Sequence, residues 1–187
     1  KINIAYIGIN NHEIDLIAPF IEALKCENVK NSYRLILYGN TISNEKWNQL
    51  GLSEIAEYRG WLDYSKDVST LKDIDVFLQL LDDNNVSKAG WPNKLGDYLA
   101  FGKPVILSPY GDIIDFVKNE KGFFIVEYNK YSILKILQEI KDIPYSDLKT
   151  MGYANRQLAE KISWKNRAKN IEYICNKIRF NNETVKN

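Results

Sequence analysis

Six short apolar runs rich in β-branched residues punctuate the chain, at 2–8 (INIAYIG), 33–39 (YRLILYG), 55–60 (IAEYRG), 74–81 (IDVFLQLL), 104–108 (PVILS) and 123–127 (FFIVE), with helical periodicities between them. Strands that alternate with helices are joined by crossovers, so they pair in parallel and leave helices on both faces of one sheet. The runs are almost continuously apolar, as suits strands buried on both faces. The pattern predicts an α/β fold, a Rossmann-like doubly wound parallel sheet. Its helices are expected at 13–25, 63–73, 92–101, 112–120 and 131–140, followed by two C-terminal helices at about 145–162 and 164–180. A length of 187 residues with 45% hydrophobic composition suits one domain over 1–180, and NNETVKN (181–187) reads as a disordered tail.

Charge and cysteine usage narrow the class of partner. Lys and Arg number 25 against 24 Asp and Glu, a net charge of +1, so nucleic acid is not an expected partner. Cys26 and Cys175 stand far apart and in no metal-ligand spacing, which favours buried thiols in a reducing compartment and no metal site. The opening run KINIAYIGIN is too short to span a membrane and lacks the regions of a signal peptide, which points to a soluble, cytoplasmic protein. That run also begins a strand almost at residue 1, so the chain is expected to be the second half of something longer.

In doubly wound sheets, ligands bind beyond the carboxyl ends of the strands, where loops run into helix N-termini. The most informative of these loops is WPNKLGDYLAFGKPVIL (91–107). Pro92 suits the start of a helix and Gly102 the position just past its end, which puts Lys94 and Asp97 on one face of its first turns. The helix N-terminus together with Lys94 favours a phosphate, and Asp97 can accept two hydrogen bonds from a vicinal diol such as a ribose. The alternative is an exposed ion pair between the two with no ligand at all.

The ordered set of segments resembles the C-terminal, donor-binding domain of GT-B glycosyltransferases, specifically the large retaining family four. YIGINNHEIDLIAPFIEAL is similar to that family's opening strand, glycine loop and helix. RLILYG, EYRGWLDYSKDVSTLKDIDVFLQLL and WPNKLGDYLAFGKPVILSPYGDIIDFVKNEKGFFIV follow in the family's order, and SWKNRAKNIEYICNKI looks like its closing helix. The segment P-N-K-L-x-D-Y-L-A-x-G-K-P-V is the most specific part. The resemblance implies a nucleotide-sugar donor, bound as a substrate with no further cofactor and no enzyme metal, on Gly8, Asn10, Arg59, Gly60, Trp61, Pro92, Asn93, Lys94 and Asp97. It implies that a separate N-terminal domain, which this chain lacks, holds a polysaccharide or glycolipid acceptor. It further implies transfer of a hexose-type sugar with retention, the donor phosphate helping to deprotonate the acceptor. No residue of this chain is assigned a catalytic role. Two motifs depart from the family. Its Glu-x7-Glu motif falls on Ala89 and Asp97, so only the second carboxylate is kept; and where the family places Arg and Lys after the first strand, this chain has Asn10, Asn11 and His12.

Other conspicuous residues admit plainer readings. His12, the only histidine, has no recognisable partner and is expected to be a loop residue rather than a general base. Trp61 either stacks on the nucleotide base or packs, and Trp164 is expected to anchor the last helix. Lys161, Lys165, Arg167, Lys169, Lys177 and Arg179, set against Glu160 and Glu172, form either a solvated basic face or a surface for peripheral association with the inner face of an anionic membrane. The competing function is a non-catalytic nucleotide- or sugar-binding module, favoured by Ala89. A dinucleotide-binding domain is disfavoured because GINNHE is no G-x-G-x-x-G, and a receiver domain because GINN and EYRG lack its acids.

Overall fold

The six apolar runs form six parallel strands in a computed structural model that describes residues 1–184: β1 (Ile2–Ile9), β2 (Tyr33–Gly39), β3 (Ala56–Tyr58), β4 (Val76–Gln79), β5 (Val105–Leu107) and β6 (Phe123–Ile125). Their order across the sheet is β3-β2-β1-β4-β5-β6, so the winding reverses between β1 and β4. The helices are α1 (Glu13–Leu16), α2 (Ala18–Leu24), α3 (Asn44–Gln49), α4 (Asn85–Ala89), α5 (Asn93–Ala100), α6 (Asp112–Val117), α7 (Lys130–Ile140), α8 (Tyr145–Lys161) and α9 (Trp164–Thr184).

Alternation along each strand feeds two cores. Ile4, Tyr6, Leu35, Leu37, Val76 and Leu78 pack with residues of α2 and α7 on one face. Ala5, Ile7, Ile36, Tyr38 and Phe77 pack with Leu95, Tyr98 and Leu99 of α5, Ile113 and Val117 of α6 and Leu158 of α8 on the other. Each fully buried large aliphatic or aromatic side chain contributes about 1.5–3 kcal/mol, so the sandwich is held by its two apolar layers. This is the doubly wound architecture that the sequence predicts.

Local departures have local causes. The helix expected over 13–25 is two helices, because Pro19 has no N–H to donate and Ile17 leaves helical geometry (φ −99°, ψ 9°). The helix expected over 63–73 is a loop with one 3-10 turn, Val68–Leu71. There the Asp63 carboxylate accepts from the Ser65 N–H and hydroxyl, and the Asp67 carboxylate accepts from the Asp63 N–H, which gives the backbone an alternative to helix. The short helices α3 and α4, absent from the sequence reading, start at Ser43 and Asn84, whose side chains accept from Lys46 N–H and Ser87 N–H.

The last helix differs most from expectation. No Gly or Pro interrupts 164–187, and α9 continues to Thr184, into the segment read as a tail; residues 185–187 lie outside the described part. Trp164 does not anchor it. The indole is 85% exposed at the first position of α9, with the Arg167 guanidinium 5.9 Å from its ring, and Ile171, Ile174 and Ile178 are exposed too. Cys175 lies exposed on this uncovered helix and Cys26 is only half-buried, so the expectation of two buried thiols is corrected; both are free. Among the described residues no helix is long and apolar enough to cross a membrane.

Candidate functional site

At the β1–β4 switch point, α5 is locked to the sheet by Tyr98. Its ring stacks on Phe77 of β4 (centroids 4.3 Å apart, 2° between planes), and its buried hydroxyl accepts from the Ile7 N–H of β1 at 3.0 Å. Leu95 and Leu99 are buried beside it, which leaves Lys94 and Asp97 toward the crevice and solvent. Pro92 is the N-cap and offers no capping side chain, so the first N–H groups of α5 remain for another acceptor. Gly102 follows the helix with φ +65°, the position foreseen for it.

Lys94 crosses the crevice from the α5 layer to a side chain of the opposite layer. Its Nζ donates to the Tyr6 hydroxyl at 3.0 Å and to Glu13 Oε2 at 3.1 Å, and it lies 4.5 Å from the Tyr6 ring centroid. The Tyr6 hydroxyl in turn donates to Glu13. Burial first, then that carboxylate, hold the Tyr6 hydroxyl protonated far above its ordinary range. The passage runs over Gly8, whose φ is +86° and where a Cβ would lie 3.0 Å from Lys94 Cε and 3.3 Å from Nζ. Glycine takes that conformation easily, whereas a side chain there would be strained and would push the end of Lys94 aside.

Asp97, one turn deeper in α5, accepts from the Tyr64 hydroxyl at 3.2 Å. Tyr64 lies along Phe101 (centroids 6.2 Å, 15° between planes), and burial, followed by the Asp97 charge, pushes its pKa up to about 12. Lys94 and Asp97 are thus on one helix but partnered on opposite sides. Among the described residues no ion pair joins them, and the ligand-free pair that spacing allowed is not formed.

The remaining candidates fall into two groups. Asn10 organises the loop after β1: its Oδ1 accepts from His12 N–H at 2.8 Å and Glu13 N–H at 2.9 Å, while His12 itself is exposed. Pro92 and Asn93 open α5 beside Lys94. Arg59, Gly60 and Trp61 follow β3. The Arg59 guanidinium is enclosed there, donating Nε to Glu57 at 2.8 Å, Nη1 to the Tyr38 hydroxyl at 3.1 Å and to Asp73 at 2.9 Å, and Nη2 to Asp73 at 2.7 Å. The backbone there is tied to β2, with Arg59 N–H donating to the Leu37 carbonyl at 2.9 Å and the Gly60 carbonyl accepting from Gly39 N–H at 2.8 Å, and Trp61 is 70% exposed next to it. Ala89 ends α4 and is exposed. Sequence reading missed Tyr6, Glu13 and Tyr64, since Tyr6 sits inside an apolar run and Glu13 inside a helix start. A cavity of about 570 Å³ lined by Lys1, Asp75, Lys141 and Tyr145 lies at the other end of the strands and has no part in this site.

Residues 1–142 match the family model described as glycosyl transferases group 1. The chain belongs to this family. The glycosyltransferase domain also has the fold of known structures of the GT-B type. One is the sucrose-phosphate synthase from Thermosynechococcus elongatus, at TM-score 0.70 and 14% identity, covering 95% of this chain and 45% of that chain. Another is the C-terminal domain of a glycosyl transferase group 1 family protein from Francisella tularensis, at TM-score 0.59 and 15% identity, covering 87% of this chain and 86% of that chain. A third is Anabaena HepE in complex with UDP, at TM-score 0.63 and 14% identity, covering 86% of this chain and 44% of that chain. The domain therefore spans less than half the length of the synthase and of HepE. No curated protein matches it.

Proposed function

We propose that this domain binds the nucleotide-sugar donor of a glycosyltransferase at the β1–β4 crevice, with the diphosphate at the start of α5 beside Lys94 and the ribose on Asp97. The observation that carries this reading is the placement of the Lys94 ammonium over Gly8 at the β1–β4 switch point, on a helix whose N-cap, Pro92, has no capping side chain. HepE, which has the same fold, is known in complex with UDP and with UDP-glucose. The acceptor is a polysaccharide or glycolipid held by a second domain. In the reaction, the bond between the anomeric carbon and the diphosphate breaks, a bond to the acceptor oxygen forms on the same face, and the acceptor proton passes to the leaving phosphate. Lys94 and the α5 N–H groups stabilise the charge that develops on that phosphate. A cytoplasmic location at the inner face of a membrane belongs to the same reading, favoured by the exposed Trp164 and Ile171 beside Lys165, Arg167 and Lys169 on α9.

Calorimetric titration with UDP and GDP tests the donor site. Asp97→Asn is expected to weaken whichever diphosphate binds by about 1.5–3 kcal/mol, the range for a hydrogen bond to a charged group. Unchanged affinity removes Asp97 from the site. The second reading, a non-catalytic binding module, is favoured by the bare methyl of Ala89, and sugar transfer by the protein joined to an acceptor domain decides against it.

A further inference from the structure

The mouth of the crevice holds a hydroxyl, a carboxylate and an ammonium in mutual contact. Tyr6 is 1% exposed and fixes Glu13 through its hydroxyl; Lys94 Nζ donates to both, and its side chain and that of Glu13 are 30% and 32% exposed. Glu13 is therefore held in place by a buried group, unlike a carboxylate on an open surface, where an ion pair contributes little. Any anion that approaches Gly8 meets a cation already neutralised by a carboxylate 3.1 Å away.

We infer that Glu13 is a built-in competitor for the Lys94 ammonium. It holds that ammonium over Gly8 while the site is empty and yields it to the diphosphate on binding, so that its charge weakens anion binding and favours release of the diphosphate product. The inference rests on the donor-site reading for the identity of the anion, but the competition itself needs only a phosphate. Glu13→Gln keeps an acceptor for the Tyr6 hydroxyl and nearly the same shape while removing the charge. Its effect thus separates competition from support: a residue that merely positions Lys94 lowers affinity when neutralised, and a competitor raises it.

The test is calorimetric titration of inorganic pyrophosphate, UDP and GDP into the unmutated chain, Glu13→Gln, Lys94→Ala and the double variant. Glu13→Gln is expected to tighten pyrophosphate binding by roughly 2- to 5-fold, the scale of one partly screened charge pair, and the gain should vanish when Lys94 is Ala. Equal or weaker binding by Glu13→Gln, no pyrophosphate binding by any form, or a gain that survives Lys94→Ala overturns the inference. If pyrophosphate behaves as expected while neither UDP nor GDP binds, the donor-site reading fails and the competition stands. If UDP or GDP binds through Asp97 and Glu13→Gln changes nothing, the reverse holds. Should Glu13→Gln not fold, the ammonium resonance of Lys94 in the unmutated chain supplies the measurement: it shifts when pyrophosphate is added, and an unmoved resonance rejects the exchange of partners.

Discussion

The Tyr64 hydroxyl donates to Asp97 at 3.2 Å, so the carboxylate that would take a ribose is already occupied by a phenol from the loop after β3. Burial is the larger cause of the Tyr64 shift to about 12 and the Asp97 charge the smaller. Asp97→Asn should therefore bring the Tyr64 titration only part of the way back toward 10. Ultraviolet titration of tyrosinate, with Tyr64→Phe subtracted to identify the signal, checks this. A midpoint unaffected by Asp97→Asn means the contact is absent in solution.

Lys94→Ala is expected to weaken a nucleoside diphosphate much more than the bare nucleoside, because only the former presents phosphate to α5. Raising salt should narrow the difference, since screening acts on the same charge. Titration of UDP and uridine, or GDP and guanosine, at two salt concentrations gives the answer, and equal loss for both ligands rules out phosphate recognition.

Arg59 predicts stability rather than binding. Removing its enclosed, bidentate contact to Asp73 with Arg59→Met should cost about 1–2 kcal/mol in urea denaturation at neutral pH, the lower part of the range for charged hydrogen bonds because Asp73 is half exposed. The guanidinium holds both Asp73 and Glu57 below the usual carboxylate range. Depressed carboxylates contribute stability that is present above their unfolded pKa values, about 4, and lost as pH falls through the folded ones. Arg59→Met should accordingly flatten the acid limb of stability against pH.

At high pH the tyrosines act in the opposite sense. Burial raises the hydroxyls of Tyr6, Tyr33 and Tyr98 above the ordinary value of 10.0. Groups with raised pKa values leave stability intact below the unfolded value and remove it as pH climbs toward the folded one. Thermal unfolding should hold steady to about pH 10 and fall steeply beyond it. A flat profile to pH 12 would contradict the burial of these phenols.

If a second domain holds the acceptor, as proposed, residues 1–187 alone should bind donor but transfer no sugar. Incubation with a labelled nucleotide sugar and a glycolipid or polysaccharide acceptor measures this, and robust turnover would reject the proposed division of labour.

The sheet and the ends of α5 were legible because they depend on local signals: continuous apolar runs, Pro92 and Gly102. The loop at 63–73 was misread because its charge pattern fits a helix face, while its Asp and Ser side chains bond their own backbone instead. At the site, Lys94 and Asp97 were legible as residues but not as partners. Tyr6 and Tyr64 meet them only through tertiary contacts, and a period-based reading of Tyr6 within INIAYIG returns a core residue, which it also is. Trp164 was misread for the converse reason, since a large aromatic at a helix start suggests packing, whatever lies around it.

Lys94 and Glu13 stand 81 positions apart, and β1 pairs with β4 through Ile4 and Val76, so no fragment of the chain carries the site in advance of the sheet. Long-range parallel pairing is slow to form, and until β1 finds β4 the crevice does not exist. Occupancy and global folding therefore share one equilibrium. A nucleotide at about 100 times its Kd adds about 2.7 kcal/mol to the unfolding free energy of the entire domain. That gain should be read in full by every amide that exchanges only through global unfolding, wherever it lies in the sheet β3-β2-β1-β4-β5-β6.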